Sequence, residues 1–199
     1  MIPIGRQSRD KIGFWGIVVM GLSLTASHGF AAAATAPTHT VRELVEAIAS
    51  MKDKTNTSAA ATKANTIVDI PAVSRRVLGR HWKKRTPDEQ QGFTALLTDL
   101  FVNVAYPKSA EFFGEYDIEI TGENITGERA EVTTTVSDPK EGLISVDYRL
   151  HHRNGSWRVR DIVLDDVSLT RNLRSQCQKI IKEHSYAELL RRMQNKLNE

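Results

Sequence analysis

The hydrophobic period of this chain changes twice, and those two changes constrain its fold more than any other feature. Up to Val104, large apolar residues recur at three- and four-residue steps. From Tyr116 to Leu164 they recur at every second residue, and from Leu173 onward the step is again three to four. A period near 3.6 gathers side chains on one stripe of a helix, and a period of two gathers them on one face of a strand. Helices, then a run of strands, then helices predicts an α+β fold. Its sheet is antiparallel, with the apolar face covered by the helices.

Four strands are expected. Tyr116, Ile118 and Ile120 mark the first, and Ala130, Val132, Thr134 and Val136 the second. Ile144, Val146, Tyr148 and Leu150 mark the third. Trp157, Val159 and Ile162 to Leu164 mark the fourth, with a bulge near Asp161. Asn154-Gly155 joins the last two by a type I′ turn, and Asp165-Asp166 reads as a turn and helix start. Val41, Leu44, Val45 and Ile48 predict an amphipathic helix over 40–51. Asp69-Ile70-Pro71 opens a second helix that stops at Gly79, and the intervening stretch 52–66 is left open. Thr86-Pro87-Asp88-Glu89 is a capping box ahead of Phe93, Leu96, Leu97, Leu100, Phe101 and Val104. Tyr106-Pro107 is expected to end that helix. Ser168 or Thr170 opens the next, with Leu173, Cys177, Ile180 and Ile181, and Ser185 to Glu188 forms a second capping box.

The first 34 residues read as a secretory signal peptide. Arg6, Arg9 and Lys11 precede an apolar run from Ile12 to Ala26, and Ala31 to Ala34 follow, with processing expected between Ala32 and Pro37. A run of about 15 residues is short for a membrane span, which needs about 20. Without residues 1–33, which hold three bases and one acid, the net charge falls from +3 to +1. No basic block with interleaved aromatics stands out, so nucleic acid is not an expected ligand. Cys177 is the one cysteine, which excludes an intramolecular disulfide. The remaining chain, 38–199, reads as a single domain: helical over 38–113, a sheet over 116–166 and C-terminal helices over 168–197.

Catalytic and metal chemistry find little support. His151 and His152 are adjacent on a strand and point to opposite faces, and His81 and His184 lack helical metal-pair spacing. Asp161, Asp165 and Asp166 lie close in sequence, but no nucleophile motif accompanies them. Neither catalytic nor metal-binding residues are therefore assigned, and no cofactor is expected. Arg171, Arg174 and Lys179, and the bases from Arg75 to Arg85 around Trp82, are either solvated or meet a lipid headgroup or acidic partner. The surplus of large apolar residues either fills a core or leaves part of the space between sheet and helices for a ligand.

An ordered set of segments carries a resemblance. Val77-Leu78-Gly79-Arg80-His81-Trp82 is followed by Thr86-Pro87-Asp88-Glu89-Gln90-Gln91-Gly92-Phe93. Val146-Asp147-Tyr148-Arg149-Leu150, Gly155-Ser156-Trp157-Arg158-Val159-Arg160-Asp161-Ile162 and Val167-Ser168-Leu169 come later. Together they are similar to the MlaC, or toluene-tolerance, family of periplasmic phospholipid-binding proteins over most of residues 67–197. Asp166 stands where the family often has glycine, and Leu173 and Cys177 where aromatics are common.

The resemblance implies a curved four-stranded sheet with helices packed on it and an apolar pocket between them. It implies a periplasmic carrier, not an enzyme. The carrier would shuttle phospholipid between an inner-membrane ABC transporter complex and an outer-membrane lipoprotein and porin complex, maintaining lipid asymmetry and solvent tolerance. The lipid-binding residues expected on that basis begin with Val77, Leu78 and Trp82. Phe93, Leu96, Leu97, Leu100, Phe101 and Val104 follow from the next helix. The strands supply Val146, Tyr148, Leu150, Trp157, Val159 and Val163, and the corner beyond them Val167, Leu169 and Leu173. The carrier is expected to be a monomer. A binding or assembly module with a filled core, or a carrier of another apolar molecule such as a hopanoid, is the alternative.

Overall fold

The computed structural model describes residues 36–52, 57–113, 116, 118–138 and 142–199. The signal-peptide reading of residues 1–34 lies outside them. α1 (Pro37–Ala49) buries Val41, Leu44 and Ile48, as its spacing requires. The open stretch after it forms α2 (Thr57–Ile67), whose buried residues Ala60, Ala61 and Ala64 are small enough to let α1 pack closely against it. α3 (Ile70–Leu78) is capped by Asp69, whose carboxylate accepts the Ala72 N–H at 2.9 Å. It ends at Gly79, whose positive φ of 52° favours glycine. A 3₁₀ turn (Gly79–Lys84) leads to α4 (Pro87–Leu100). Both halves of the expected capping box form there: Glu89 N–H donates to Thr86 Oγ1 at 3.2 Å, and Thr86 N–H to Glu89 Oε2 at 2.8 Å.

The helix does not end at Tyr106-Pro107. It passes through a π-helical turn (Phe101–Ala105), in which the Tyr106 N–H reaches the Phe101 carbonyl, and continues as α5 (Tyr106–Phe113). In a regular α-helix the ring of Pro107 would collide with the carbonyl four residues back. The wider turn gives the chain one extra residue in which to avoid that clash, and Pro107 falls in the first turn of α5, where no N–H is required.

The sheet has five strands, not four. β1 (Ile118–Thr126), β2 (Arg129–Asp138), β3 (Gly142–Arg153), β4 (Ser156–Leu164) and β5 (Val167–Ser168) form an open antiparallel meander in that order. The extra strand comes from Asp165 and Asp166, which take φ of 42° and 64° and fold the chain tightly enough to pair Val167 with Leu164 and Ser168 with Val163. Two residues have no period to read, so the strand left no sequence signal. Asn154 and Gly155 take φ of 51° and 78°, as a type I′ turn demands. The bulge falls at Arg160: Arg149 faces Asp161, Leu150 faces Val159, and Arg160 is the extra residue between. Just before the bulge, β4 gains a short parallel partner, with Val68 bridging Val159 and the Asp69 N–H donating to the Val159 carbonyl at 2.8 Å.

Ser168 caps α6 (Leu169–Glu183), accepting the Arg171 N–H at 3.1 Å. Ser185 caps α7 (Tyr186–Leu197), but only half of the second capping box forms. Ser185 accepts from Glu188 N–H, while the Glu188 carboxylate turns outward to Arg191 and Arg192. Those guanidiniums hold its carboxyl at about 2, well below the usual carboxylate range. The core lies between the inner sheet face and the helices. α3 packs on α4 and α6, α4 on α7, and α1 on α5 and β2. None of the described helices is long and apolar enough to cross a membrane.

Candidate functional site

A cavity of about 90 Å³ opens inside this core. Leu44 and Ile48 of α1, Val68, and Val73 of α3 form one side. Phe101 and Ala105 of the π turn, with Tyr106 and Ser109 of α5, form a second. Tyr148, Val159, Arg160, Asp161 and Ile162 of the sheet and Leu169, Thr170 and Leu173 of α6 complete it. The walls are overwhelmingly apolar, which suits hydrocarbon and offers no group for covalent chemistry.

The π turn positions one wall. Thr94, Thr98 and Asn103 each donate a side-chain hydrogen bond to the carbonyl four residues earlier, which loosens the regular backbone ladder through this helix. Phe101 packs edge-on against Tyr106, with ring centroids 5.7 Å apart. The Tyr106 hydroxyl donates to Asn65 Oδ1 at 3.0 Å. Tyr148 is different: it is almost wholly buried, yet its hydroxyl has no hydrogen-bond partner among the described residues. Burial raises the pKa of both phenols, so both stay neutral.

Of the residues expected to bind lipid, the structure brings Phe101, Tyr148, Val159, Leu169 and Leu173 to the cavity. Val77, Leu78, Phe93, Leu97, Val146, Leu150 and Trp157 are buried in the surrounding core and do not line it. Trp82, Leu96 and Leu100 pack at the core's edge, and Val104 is half-buried. Val163 pairs with Asp147 rather than with Tyr148, so it lies on the opposite face of the sheet. Val167 is 54% exposed on β5. Ala105, Tyr106 and Ser109 escaped the sequence reading because Pro107 was taken as a stop. The signal was present, since Phe101, Ala105 and Ser109 continue the four-residue step. Leu44 and Ile48 sit on the recognised face of α1, whose target periodicity cannot name.

Asp161 fixes the corner beside the cavity. Its buried carboxylate accepts from Ser168 Oγ–H at 2.7 Å and Thr170 N–H at 3.1 Å, and lies 3.6 Å from an Arg149 guanidinium nitrogen. This is a strut between β4, β5 and the start of α6. His151 lies 2.8 Å from Asp69 Oδ2, tying β3 to the α3 cap. Among the described residues no three His, Cys, Asp or Glu side chains converge as a metal site would require. Cys177 is buried, and burial pushes its thiol up to about 11, so it is not an activated nucleophile. Arg174 lies over Gly79, where a Cβ would come within 3.0 Å of the guanidinium.

Comparison with known proteins fits this arrangement. The profile of the family described as "MlaC protein" matches residues 38–195. The "Toluene tolerance protein ttg2D" of Pseudomonas putida is 23% identical over 119 residues, an alignment spanning 55% of this chain and about half, 52%, of that protein. A phospholipid-binding protein from Ralstonia solanacearum, solved in complex with a phospholipid, superposes with a TM-score of 0.65 at 17% identity. That match covers 81% of this chain and 94% of the other.

Proposed function

The chain belongs to the MlaC family, and from that premise we propose that it is a periplasmic phospholipid-binding carrier, exported by residues 1–34 and built as one lipid-binding domain over 38–199. Its partners are an inner-membrane ABC transporter complex and an outer-membrane lipoprotein and porin complex, between which it shuttles lipid as a monomer. Its work is binding and transfer, not catalysis. The observation that carries this reading is the apolar cavity between sheet and helices, in a fold shared with a protein solved with phospholipid bound.

The energetics explain why such a carrier needs partners. Each buried CH₂ contributes about 0.8 kcal/mol, so a 16-carbon chain approaches roughly 12 kcal/mol and escapes into water very slowly. Transfer requires a docked acceptor that offers another apolar path. The cavity's 90 Å³ is also small against the roughly 300–1,000 Å³ of ordinary ligand pockets. An acyl chain therefore has to part the walls. The π turn, whose hydrogen-bond register is already shifted, and α6, hinged on the Ser168 corner, are the walls built to move. Tyr148 offers an incoming lipid ester a donor that no protein group uses.

Mass spectrometry of organic extracts from the purified protein tests the proposal, together with lipid uptake from vesicles. Ala105→Trp should fill the cavity and lower occupancy several-fold with the fold intact. Absence of lipid from both the extract and the vesicle assay would sink the carrier reading. It would favour the second reading, a periplasmic binding or assembly module with a closed core, which the small volume supports.

A further inference from the structure

We propose that the outer face of the sheet carries a second binding site, for a phosphate-type anion, clasped between Arg129 and Arg160 across β3. Arg160 also borders the apolar cavity, whereas Arg129 does not, so the site can be tested through Arg129 independently of what that cavity holds.

The site follows from register and from the bulge. Arg129 of β2 pairs with His151 of β3, and Arg149 of β3 pairs with Asp161 of β4. These residues share the face opposite Val146, Tyr148 and Leu150. The bulge inserts Arg160 beside them. Two shallow depressions result. One is lined by Glu128, Arg129, His151, His152, Arg153 and Arg160, and the other by Asn124, Thr126, Arg129, Glu131, Arg149 and Arg160. Arg129 and Arg160 are walls of both.

Charge is unevenly neutralised across this surface. Arg149 takes two carboxylates, Glu131 at 3.2 Å and Asp161 at 3.6 Å. Asp69 is engaged with His151 and with the α3 cap. Among the described residues Arg129 and Arg160 have no ion-pair partner, and neither does Arg76 of α3, whose charge acts on Arg160. The Nε of Arg160 is covered by protein and has no acceptor among the described residues. Burial first, then the charges of Arg76 and Arg129, lower the Arg160 pKa, with Asp161 opposing. A covered guanidinium donor without an acceptor is costly, and like charges around it add to that cost.

An anion with several oxygens would relieve both costs. Guanidinium groups present planar, paired donors matched to phosphate, and such charge-assisted bonds are roughly twice as strong as neutral ones. Two arginines facing each other across one strand would engage two edges of one tetrahedral anion. Inorganic phosphate and the phosphodiester headgroup of an anionic lipid share that chemistry.

Titration of the purified protein with inorganic phosphate and with sn-glycerol-3-phosphate, followed by amide shifts or calorimetry, tests the site. Sedimentation with phosphatidylcholine vesicles, with and without phosphatidylglycerol, tests the bilayer source. Arg160→Gln and Arg129→Gln should each weaken binding at least tenfold. Arg158→Gln, on the same face but lining neither depression, should leave it unchanged. Loss of soluble phosphate binding in both site variants assigns free phosphate. The same loss seen only with phosphatidylglycerol vesicles assigns the headgroup, and either result supports the site. Binding of no probe by the wild type, or equal weakening by Arg158→Gln and Arg160→Gln, overturns it. Lipid uptake by Arg129→Gln, which lines both depressions but not the cavity, should match wild type, so failure of the anion site and failure of the carrier reading are read separately.

Discussion

The two faces of the sheet are built from the same strands, one residue out of step, and they behave as different materials. The inner face carries Val132, Val146, Leu150 and Val159, all fully buried. The outer face carries Arg129, Glu131, Arg149, His151 and Arg160, exposed or half-exposed, with ion pairs joining Arg149 to Glu131 and Asp161, and His151 to Asp69. Alternation alone would keep the faces separate along every strand. β4 departs from that rule at Arg160, where Val159 and Ile162 point inward with two residues between them rather than one. The bulge lets one strand serve two partners, Val68 and Asp69 before it and β5 after it. It also sends Asp161 outward to the turn that starts α6. The apolar face is thus set by period, and the polar face by a break in the period.

The break is where the largest effect is expected. Asp161→Ala would strand the Ser168 hydroxyl, the Thr170 N–H and part of the Arg149 charge in a buried corner. Removing one partner of a buried, hydrogen-bonded charge pair costs about 3–5 kcal/mol. Urea unfolding should show a loss of about 3 kcal/mol or more at neutral pH. A loss under about 1 kcal/mol, the range of exposed ion pairs, would mean that the corner is held by packing and that the faces are not coupled through Asp161.

Two tyrosines on the inner side give the next effect. Tyr106→Phe deletes a hydrogen bond to Asn65, and a loss of about 1 kcal/mol is expected. Tyr148→Phe deletes a buried hydroxyl without a partner, so lipid-free protein should be unchanged or more stable by up to about 1 kcal/mol. Thermal melts of both variants decide it. Equal losses would show that Tyr148 is satisfied in solution and would remove it as a donor for cargo.

Much of this architecture was legible in the sequence, for reasons that particular residues show. Thr86 and Glu89, Asn154 and Gly155, and Ser168 as a cap act over three or four residues, so local pattern suffices. Val146, Tyr148 and Leu150 announced the inner face by alternation. The π turn was not legible, because Pro107 is a reliable stop for an α-helix and only the wider register escapes the clash. β5 was not legible, because aspartates at positive φ make a strand of two residues. The cavity lining was legible only in part. Phe93, Leu97 and Phe101 share one helical period, but period reports that a face is covered, not by what. Phe93 and Leu97 meet side chains, while Phe101 meets space.

The turn that makes β5 offers a smaller test. Asp166 sits at φ 64°, a conformation that glycine adopts without the Cβ penalty. Asp165 should be kept, since its carboxylate accepts the Ser145 N–H at 3.1 Å. Asp166→Gly should raise stability by about 0.5 kcal/mol, the relieved strain being offset in part by a more flexible unfolded chain. A loss instead would show that the Asp166 side chain holds the turn itself.

The smallest effect belongs to Asp147, on the outer face between Glu131 and Arg149. Burial, and then the charge of Glu131, raise its pKa above the ordinary aspartate value near 3.8, despite help from Ser145 and Arg149. A carboxyl whose folded pKa is raised binds its proton more tightly in the folded state. Its contribution is favourable at low pH and is lost as pH rises from the unfolded value through the folded one. Asp147→Asn should therefore flatten the stability profile just above pH 4. At neutral pH it should change stability by no more than about 0.5 kcal/mol, in the stabilising direction. A loss of stability at neutral pH in Asp147→Asn would show instead that Arg149 holds Asp147 in its charged form and that this carboxylate braces the outer face rather than straining it.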